Sequence, residues 1–404
     1  MKQKVIVIGQ GFTGRLSIIR SVAKIGCEVT IIALVRYLKD GKTLDTRMPI
    51  DGYSKYVSNV FFCYSRGKED LIKVLLNKCT DKSQKPIIFP DNDFSASIID
   101  QYFDTLKEHF LLPYINGKPG EITLWMDKVR QKNLASQLGL NVAKSQVVET
   151  KNGRYDLDIN KITFPVFVKP LYSIIGGKAG LKRCNNEAEL RKHFDLISQN
   201  YEGVKLLIED YKKIEKEFAV LGFSDGKNAV IPGIIEINKL AHGSHFGVAL
   251  QGKVMPVKGY ENLMDKFKEM VLRIGFVGVF DVDFYLSNGV MYFGEFNWRF
   301  GGSGYVYTKS GVNLPAMMVK SFLGQSVADM NKSVNHCATY FNERMALDDW
   351  YSGYMTTADY HKLEKTSDIK FVEDEIDIFP QKKLNSEFRI KLIKRTIKNL
   401  IGRK

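Results

Sequence analysis

Apolar residues in this chain fall into short runs punctuated by glycine. Lys4-Val5-Ile6-Val7-Ile8 reads as a strand, Gly9-Gln10-Gly11-Phe12-Thr13-Gly14 as a turn, and Arg15 to Ile25 as a helix. A second strand from Glu28 to Leu34 and another at Pro86–Pro90 continue the alternation of strands and helices through residue 113, with a helix running to about Leu106. This is the pattern of an α/β fold with a Rossmann-like N-terminal domain over 1–113. The Gly- and Pro-bearing stretch Asn116 to Gly120 closes it. Beyond it, a helix from Lys128 to Leu138 stops at Gly139, Phe164–Lys169 and Leu206–Tyr211 read as strands, and another begins at Glu217. The pattern divides the remainder into 114–325, a smaller unit over 326–384 and a tail over 385–404.

The densest period-2 pattern covers residues 277–304 and reads as a β-hairpin. Ser287-Asn288-Gly289 carries the turn signal, and a three-residue loop with Gly289 left-handed fits it. In that register Leu286 pairs with Val290, so Asp283 lies opposite Phe293 and one diagonal step from Glu295. A two-residue loop would send Asp283 to the other face. Glu295 and Asn297 share a face, and Arg299 follows just beyond. Such an oxygen-rich cluster suits a hard divalent cation such as Mg²⁺, which takes one or two carboxylates plus substrate phosphates. A solvated edge-strand face would account for Asp281 or Asp283. It would not account for acid, amide and arginine alternating between Phe293 and Phe300, just before a Gly-Gly-Ser-Gly run.

The N-terminal turn is a GxGxxG fingerprint in its strand–turn–helix setting. The second strand, however, ends in Val35-Arg36 and not in an acid, which removes the usual ribose partner of NAD and leaves NADP, with Arg36 near a 2′-phosphate. An NADP-dependent oxidoreductase is therefore the alternative reading. Asp91 and Asn92 stand at the carboxyl end of a strand, where open α/β sheets bind ligands; helix capping explains them equally well. His242 and His245 flank Gly243-Ser244 in a loop that could face substrate, although two histidines make a poor metal site.

Taken in order, Asp127-Lys128, Val168-Lys169-Pro170, Gly176-Gly177-Lys178-Ala179-Gly180, Glu209-Asp210-Tyr211, Glu217 and the hairpin resemble an ATP-grasp ligase over roughly residues 85–325. The resemblance implies a two-lobed ATP-grasp domain behind a Rossmann-like domain, with ATP and Mg²⁺ as cofactors. It implies that Lys128 and Lys169 contact phosphates, and that Gly176, Gly177, Lys178 and Gly180 belong to a lid over them. Glu209, Asp210 and Tyr211 would border the adenine, and Glu217 would hold the ribose, with Glu215 as the alternative. Asp283, Glu295 and Asn297 would be the metal ligands. Arg299, with Lys169, would be catalytic, steadying an acyl phosphate or the γ-phosphate. Gly9, Gly11, Gly14, Asp91, Asn92, His245 and Arg299 would face the substrate. Trp298 stands where many relatives have proline. The activity implied is a carboxylate–amine ligase, similar in layout to D-aspartate ligases and to ligases that amidate surface polysaccharides. Its partners would be a small carboxylate and a small amine, and a homodimer is compatible with the resemblance.

Composition adds a location. Among 404 residues, five scattered cysteines form no CxxC pair, so neither a disulfide framework nor a zinc site is expected. No apolar run approaches the ~18 residues of a spanning helix, and Val5–Ile8 is too short for a signal-peptide core. A cytoplasmic protein is expected. The net charge of +14 is uneven: from Glu387 to Lys404 seven basic residues face one acid. Phe388, Leu392, Ile393, Ile397, Leu400 and Ile401 recur there at helical spacing, the pattern of a basic amphipathic helix on an anionic inner membrane leaflet. A helix packed on the protein's own surface is the competing expectation. No basic stretch is interleaved with stacking aromatics, so no nucleic-acid partner is expected.

Overall fold

The computed structural model describes residues 2–151, 153–172, 180–201, 203–243 and 247–401. Strands β1 (Lys4–Gly9), with helix α1 (Phe12–Ala23) after it, β2 (Glu28–Val35), β3 (Val57–Tyr64) and β4 (Ile87–Pro90) form a parallel sheet in the order β3-β2-β1-β4. Parallel strands are buried on both faces, and β1 shows it: Val5 and Val7 pack with Leu16 and Ile19 of α1, while Ile6 and Ile8 join Ile98 and Ile99 on the other side. Helix α2 (Asp93–Gln101) is capped by Asn92, whose side chain accepts from the Ser95 amide. Helix α3 (Lys128–Gln137) is capped in the same way by Asp127 and is followed by left-handed Gly139.

A small antiparallel sheet follows, built from β5 (Ser145–Lys151), β6 (Val166–Pro170), β7 (Lys182–Cys184) and β8 (Lys205–Asp210) in the order β5-β8-β6-β7. Leu190, Phe194 and Ile197 of α4 (Glu187–Asn200) close one face of it.

The larger sheet runs β13-β12-β9-β10-β11-β14, with β9 (Lys216–Asp225), β10 (Ile234–Leu240), β11 (Ala249–Met255), β12 (Phe276–Ser287), β13 (Val290–Asn297) and β14 (Ala338–Phe341), neighbours antiparallel. Phe218, Val220, Val282 and Phe284 face helix α5 (Glu261–Ile274) and pack on Phe267 and Val271. The opposite face carries Leu221, Phe223 and Val279 into one core with β1 and α1. Asp281 and Asp283 continue that same face, so the row passes from apolar to acidic as it leaves the core.

The hairpin closes differently from the sequence expectation. Ser287 pairs with Val290, so the loop has two residues, Asn288 at φ 49° and Gly289 at φ 73°, both left-handed as such a turn requires. Leu286 therefore pairs with Met291, and Phe284, not Asp283, lies opposite Phe293. A bulge at Gly294 then shifts the register, and Asp283 pairs directly with Glu295 and Asp281 with Asn297. The bulge restores the face that the shorter loop would have lost. A Cβ at Gly294 would stand 2.7 Å from the Asp283 carbonyl oxygen, so the close approach requires glycine.

The basic tail belongs to a longer helix, α6 (Phe379–Ile401), which begins before the expected residue 385. Its Leu384 and Phe388 are buried in the core shared with α1, and Arg395 donates to the Tyr351 carbonyl at 2.8 Å. Ahead of the helix, buried Asp377 accepts from Arg20 at 2.9 Å and Ser54 at 2.8 Å. The inner face of α6 thus packs on the protein, while Ile390, Ile393 and Ile397 remain about half exposed.

Candidate active site

Capping by Asp127 starts α3 so that Lys128 lies in its first turn, buried, with Nζ 3.0 Å from Oε2 of Glu295 on β13. One turn later Lys132 forms an ion pair with Glu209 at the end of β8, and Nζ of Lys169 on β6 approaches the same carboxylate at 2.8 Å. Glu209 thus lies between two lysines. Sequence reading missed Lys132, although its i,i+4 spacing from Lys128 places both on one helix face.

Electrostatics tie the small sheet to the hairpin. Burial works against charge on Lys169, but Glu209 and then Glu295 outweigh it and hold the ammonium above its ordinary range. Burial likewise opposes ionisation of Glu295, and Lys128 and Lys169 overcome it, holding that carboxyl below its usual range. Asp283 differs: burial, then the neighbouring Asp281 and Glu295 carboxylates, push it well above the usual value. Burial also raises Asp281 to about 6, against the pull of Arg299.

Arg299 follows β13 and binds two acids, Asp93 at 3.2 Å and Asp281 at 3.1 Å. The Asn297 amide donates to Asp283 at 3.1 Å. One oxygen of Asp281 is buried without a hydrogen-bond partner. Three carboxylates and an amide thus converge on one face, with an orphaned oxygen and an acid whose ionisation its neighbours resist. That set fits a hard cation, which would relieve both. Among the described residues no three His, Cys, Asp or Glu side chains are placed to hold a metal ion together, so an ion here would rest on at most two of these carboxylates, the amide and further oxygens from a ligand. Asp93 was not singled out from the sequence as a partner of Arg299; it looks there like an ordinary helix-start acid.

Other expected residues are placed as follows. Glu217 sits at the start of β9 opposite Tyr285, half-buried, and burial raises its carboxyl. Glu215 instead accepts from the Asn288 amide at 2.8 Å and holds the hairpin turn. Asp210 pairs with Val166, and the Tyr211 ring lies 4.2 Å beneath the Arg183 guanidinium. Tyr285 stacks on Tyr292 with centroids 5.5 Å apart, extending the Glu217 side of the sheet as an aromatic floor. Gly180 packs against Pro170, where a Cβ would stand 3.0 Å from its ring. Gly176, Gly177, Lys178 and His245 lie outside the described residues. His242 is bound through Nδ1 to buried Asp349 at 3.0 Å.

The glycine turn borders the same site. A Cβ on Gly9 would stand 1.4 Å from Oδ1 of Asp91, so this glycine makes room for the acid. Asp91 is half-buried, its buried Oδ1 lacks a hydrogen-bond partner, and desolvation pushes its carboxyl up to about 7, partly offset by Arg15. Arg15 itself grips buried Asp51 at 2.7 Å and donates to the Gly9 carbonyl. A Cβ on Gly14 would reach 4.0 Å from both Asp91 and the Gly302 Cα, which brings the turn against the loop after Arg299. Gly11 has open space above it. Asn92 uses its side-chain oxygen as the cap of α2.

Comparison with known proteins bears on the fold. Residues 133–315 match the model of the ATP-grasp domain. The carbamoyl phosphate synthase large chain of Gemmatimonas aurantiaca is 24% identical over 236 residues, covering 58% of this chain and 21% of that one. The large chain of Clostridium botulinum is 26% identical over 229 residues, covering 55% and 21%. The chain spans about a fifth of the length of these curated relatives. Among solved structures, N5-carboxyaminoimidazole synthetase from Staphylococcus aureus, complexed with ADP, superposes with a TM-score of 0.62 at 19% identity, covering 88% of this chain and 86% of that one. L-amino acid ligase from Bacillus licheniformis gives 0.60 at 16% identity, covering 84% and 79%. Residues 133–315 thus resemble an ATP-grasp domain, and the chain shares a mixed α/β fold with these solved structures.

Proposed function

We propose that the protein is an ATP-dependent carboxylate–amine ligase that uses Mg²⁺. The observation that carries this reading is the 3.0 Å contact between Lys128 and Glu295, with Lys169 close enough to Glu295 to shift it. A cationic wall and an anionic hairpin meet at one point, the arrangement a metal-bound triphosphate needs. Lys128 and Lys169 would hold phosphate oxygens, Glu209 and Tyr211 would border the base, and Glu217 would take the ribose. Asp283, Glu295 and Asn297 would hold the metal, which would neutralise phosphate charge. Arg299, fixed by Asp93 and Asp281, would steady the transferring phosphoryl group. In the first step a substrate carboxylate oxygen attacks the γ-phosphorus and ADP leaves. In the second an amine nitrogen attacks the acyl carbon, phosphate departs with the bonding pair, and the nitrogen loses a proton. Positioning and charge neutralisation supply most of the catalysis.

The same reading places the substrate at the cell envelope, in the manner of D-aspartate ligases or polysaccharide-amidating ligases. Supporting it, α6 presents Ile390, Ile393 and Ile397 outward, beside exposed Arg389 and Lys394. No helix among the described residues is long and apolar enough to cross a membrane, so contact would be peripheral, at the inner leaflet. For the NADP alternative, the need for Gly9 is already met by Asp91, and Arg36 points to solvent.

Screening pools of acids and amines for ADP release tests the proposal. Mg²⁺-dependent ADP formation is expected with the correct pair, and Glu295→Ala should abolish it while the circular dichroism spectrum is kept. Full ADP release by that variant would overturn the metal assignment. A substrate-dependent change at the nicotinamide absorbance band would favour the alternative.

A further inference from the structure

Glu209 divides one carboxylate between two lysines. On β8 it lies opposite Ser145 of β5 and Phe167 of β6, and period 2 puts Lys169 on the same face of the small sheet. Its Oε2 meets Nζ of Lys169 at 2.8 Å. Its Oε1 is taken by Lys132 of α3, whose Nζ also donates to the Ser145 hydroxyl at 3.2 Å. The Lys132 side chain is 4% exposed and that of Lys169 is 16%, so a ligand arriving from solvent meets Lys169 first.

One carboxylate and two ammoniums leave a single surplus positive charge. Burial opposes ionisation of Glu209, and Lys169 and then Lys132 overcome it, holding the carboxyl below its usual range. Burial draws the Lys132 ammonium down, and Glu209 resists that shift. The neighbouring pair of Lys128 and Glu295 adds no net charge. Without Lys132, the pair of Lys169 and Glu209 would be neutral, and both carboxylate oxygens could close on the one ammonium. The surplus therefore originates at Lys132, although Lys169 is the group a ligand reaches. Buried charges are screened less than exposed ones, so a unit of charge matters here.

We propose that Lys132 is a positioning residue for the nucleotide phosphates: by occupying one oxygen of Glu209, it keeps Lys169 from being neutralised. The inference deepens the ligase reading and rests on it for the identity of the ligand. It gives Glu209 a second task beside bordering the base, that of a spacer between like charges. In this role Lys132 acts through Glu209 and makes no contact with phosphate itself.

The probes are a non-hydrolysable ATP analogue with Mg²⁺ and, separately, adenosine. Each is titrated by calorimetry into the full chain, Lys132→Met, Glu209→Gln and the double variant. Lys132→Met leaves Glu209 paired with Lys169, so no buried charge is orphaned and the fold should persist. It is expected to weaken the triphosphate by roughly tenfold or more and adenosine by less than about twofold. The double variant regains the single surplus charge and should return the triphosphate to within about threefold of the parent. If Lys132 only tied α3 to the small sheet, adenosine would weaken with the triphosphate and the two losses would add in the double variant. Either result would overturn the proposal, as would parent-like triphosphate affinity in Lys132→Met. Absence of nucleotide binding by the parent would count against the ligase reading and take this role with it. Binding by the parent together with any of the three contrary results would count against Lys132 alone.

Discussion

The β12–β13 hairpin and the glycine turn after β1 border one site, yet each holds its acids differently. At the hairpin, Glu295 is paired with Lys128 and stays charged, and Arg299 spans Asp281 and Asp93. At the turn, Asp91 is half-buried with its Oδ1 lacking a hydrogen-bond partner, and desolvation pushes its carboxyl up to about 7. The hairpin is organised by charge and the turn by space. Gly9 is small because Asp91 occupies the position its side chain would take. A glycine fingerprint can therefore arise from packing against an acid as readily as from contact with a dinucleotide.

The contrast can be broken most severely at the bulge. Gly294→Ala would drive a methyl group against the Asp283 carbonyl oxygen, undoing the register that pairs Asp283 with Glu295. A displacement of about 1 Å costs roughly 10²-fold in rate, and that loss is expected in ADP formation. Next in size, Gly9→Ala should lower stability by about 1–3 kcal/mol through overpacking. Because the clash is with a side chain, Gly9→Ala combined with Asp91→Gly should recover most of that loss in a denaturant titration. No such rescue is available at Gly294, where the obstacle is backbone.

The third prediction concerns pH. An unfolded aspartate titrates near 4, whereas Asp91 in the fold holds its proton to about 7. Between these values the folded state binds more protons, so this residue makes stability fall as pH rises, with no further change above about 7. Asp91→Asn should remove that slope: its melting temperature relative to the parent should climb from pH 4 to 7 and then level off. The smallest effect belongs to Glu215→Ala, which frees the exposed Asn288 amide and should cost about 0.5 kcal/mol, with ADP formation unchanged.

The sequence was most legible where chemistry repeats at element spacing. The alternation of Glu295, Asn297 and Arg299 placed one acid, the amide and the guanidinium on one edge without knowledge of the loop, whereas the face of Asp283 depended on it. The loop itself was misjudged, because Ser287-Asn288-Gly289 fits a three-residue turn and Asn288-Gly289 fits a two-residue one. A bulge at Gly294 compensates, and an isolated glycine in a strand is the one signal that could have revealed it. Lys132 and Asp93 were passed over because their roles depend on partners distant in sequence, Glu209 and Arg299. In α6 the pattern gave the amphipathic helix correctly but not its starting point. Leu384 and Phe388 are buried, which only the packing against α1 and the turn at Ile50–Tyr53 reveals.

The central claim is that Lys169 and Glu295 grip one triphosphate from opposite sides. Calorimetric titration of a non-hydrolysable ATP analogue with Mg²⁺ into the parent, Lys169→Met, Glu295→Gln and the double variant tests it directly. Each single change is expected to weaken binding at least tenfold, and the double variant should lose less than the sum of the two. Parent-like affinity in either single variant, or strictly additive losses, would contradict the account.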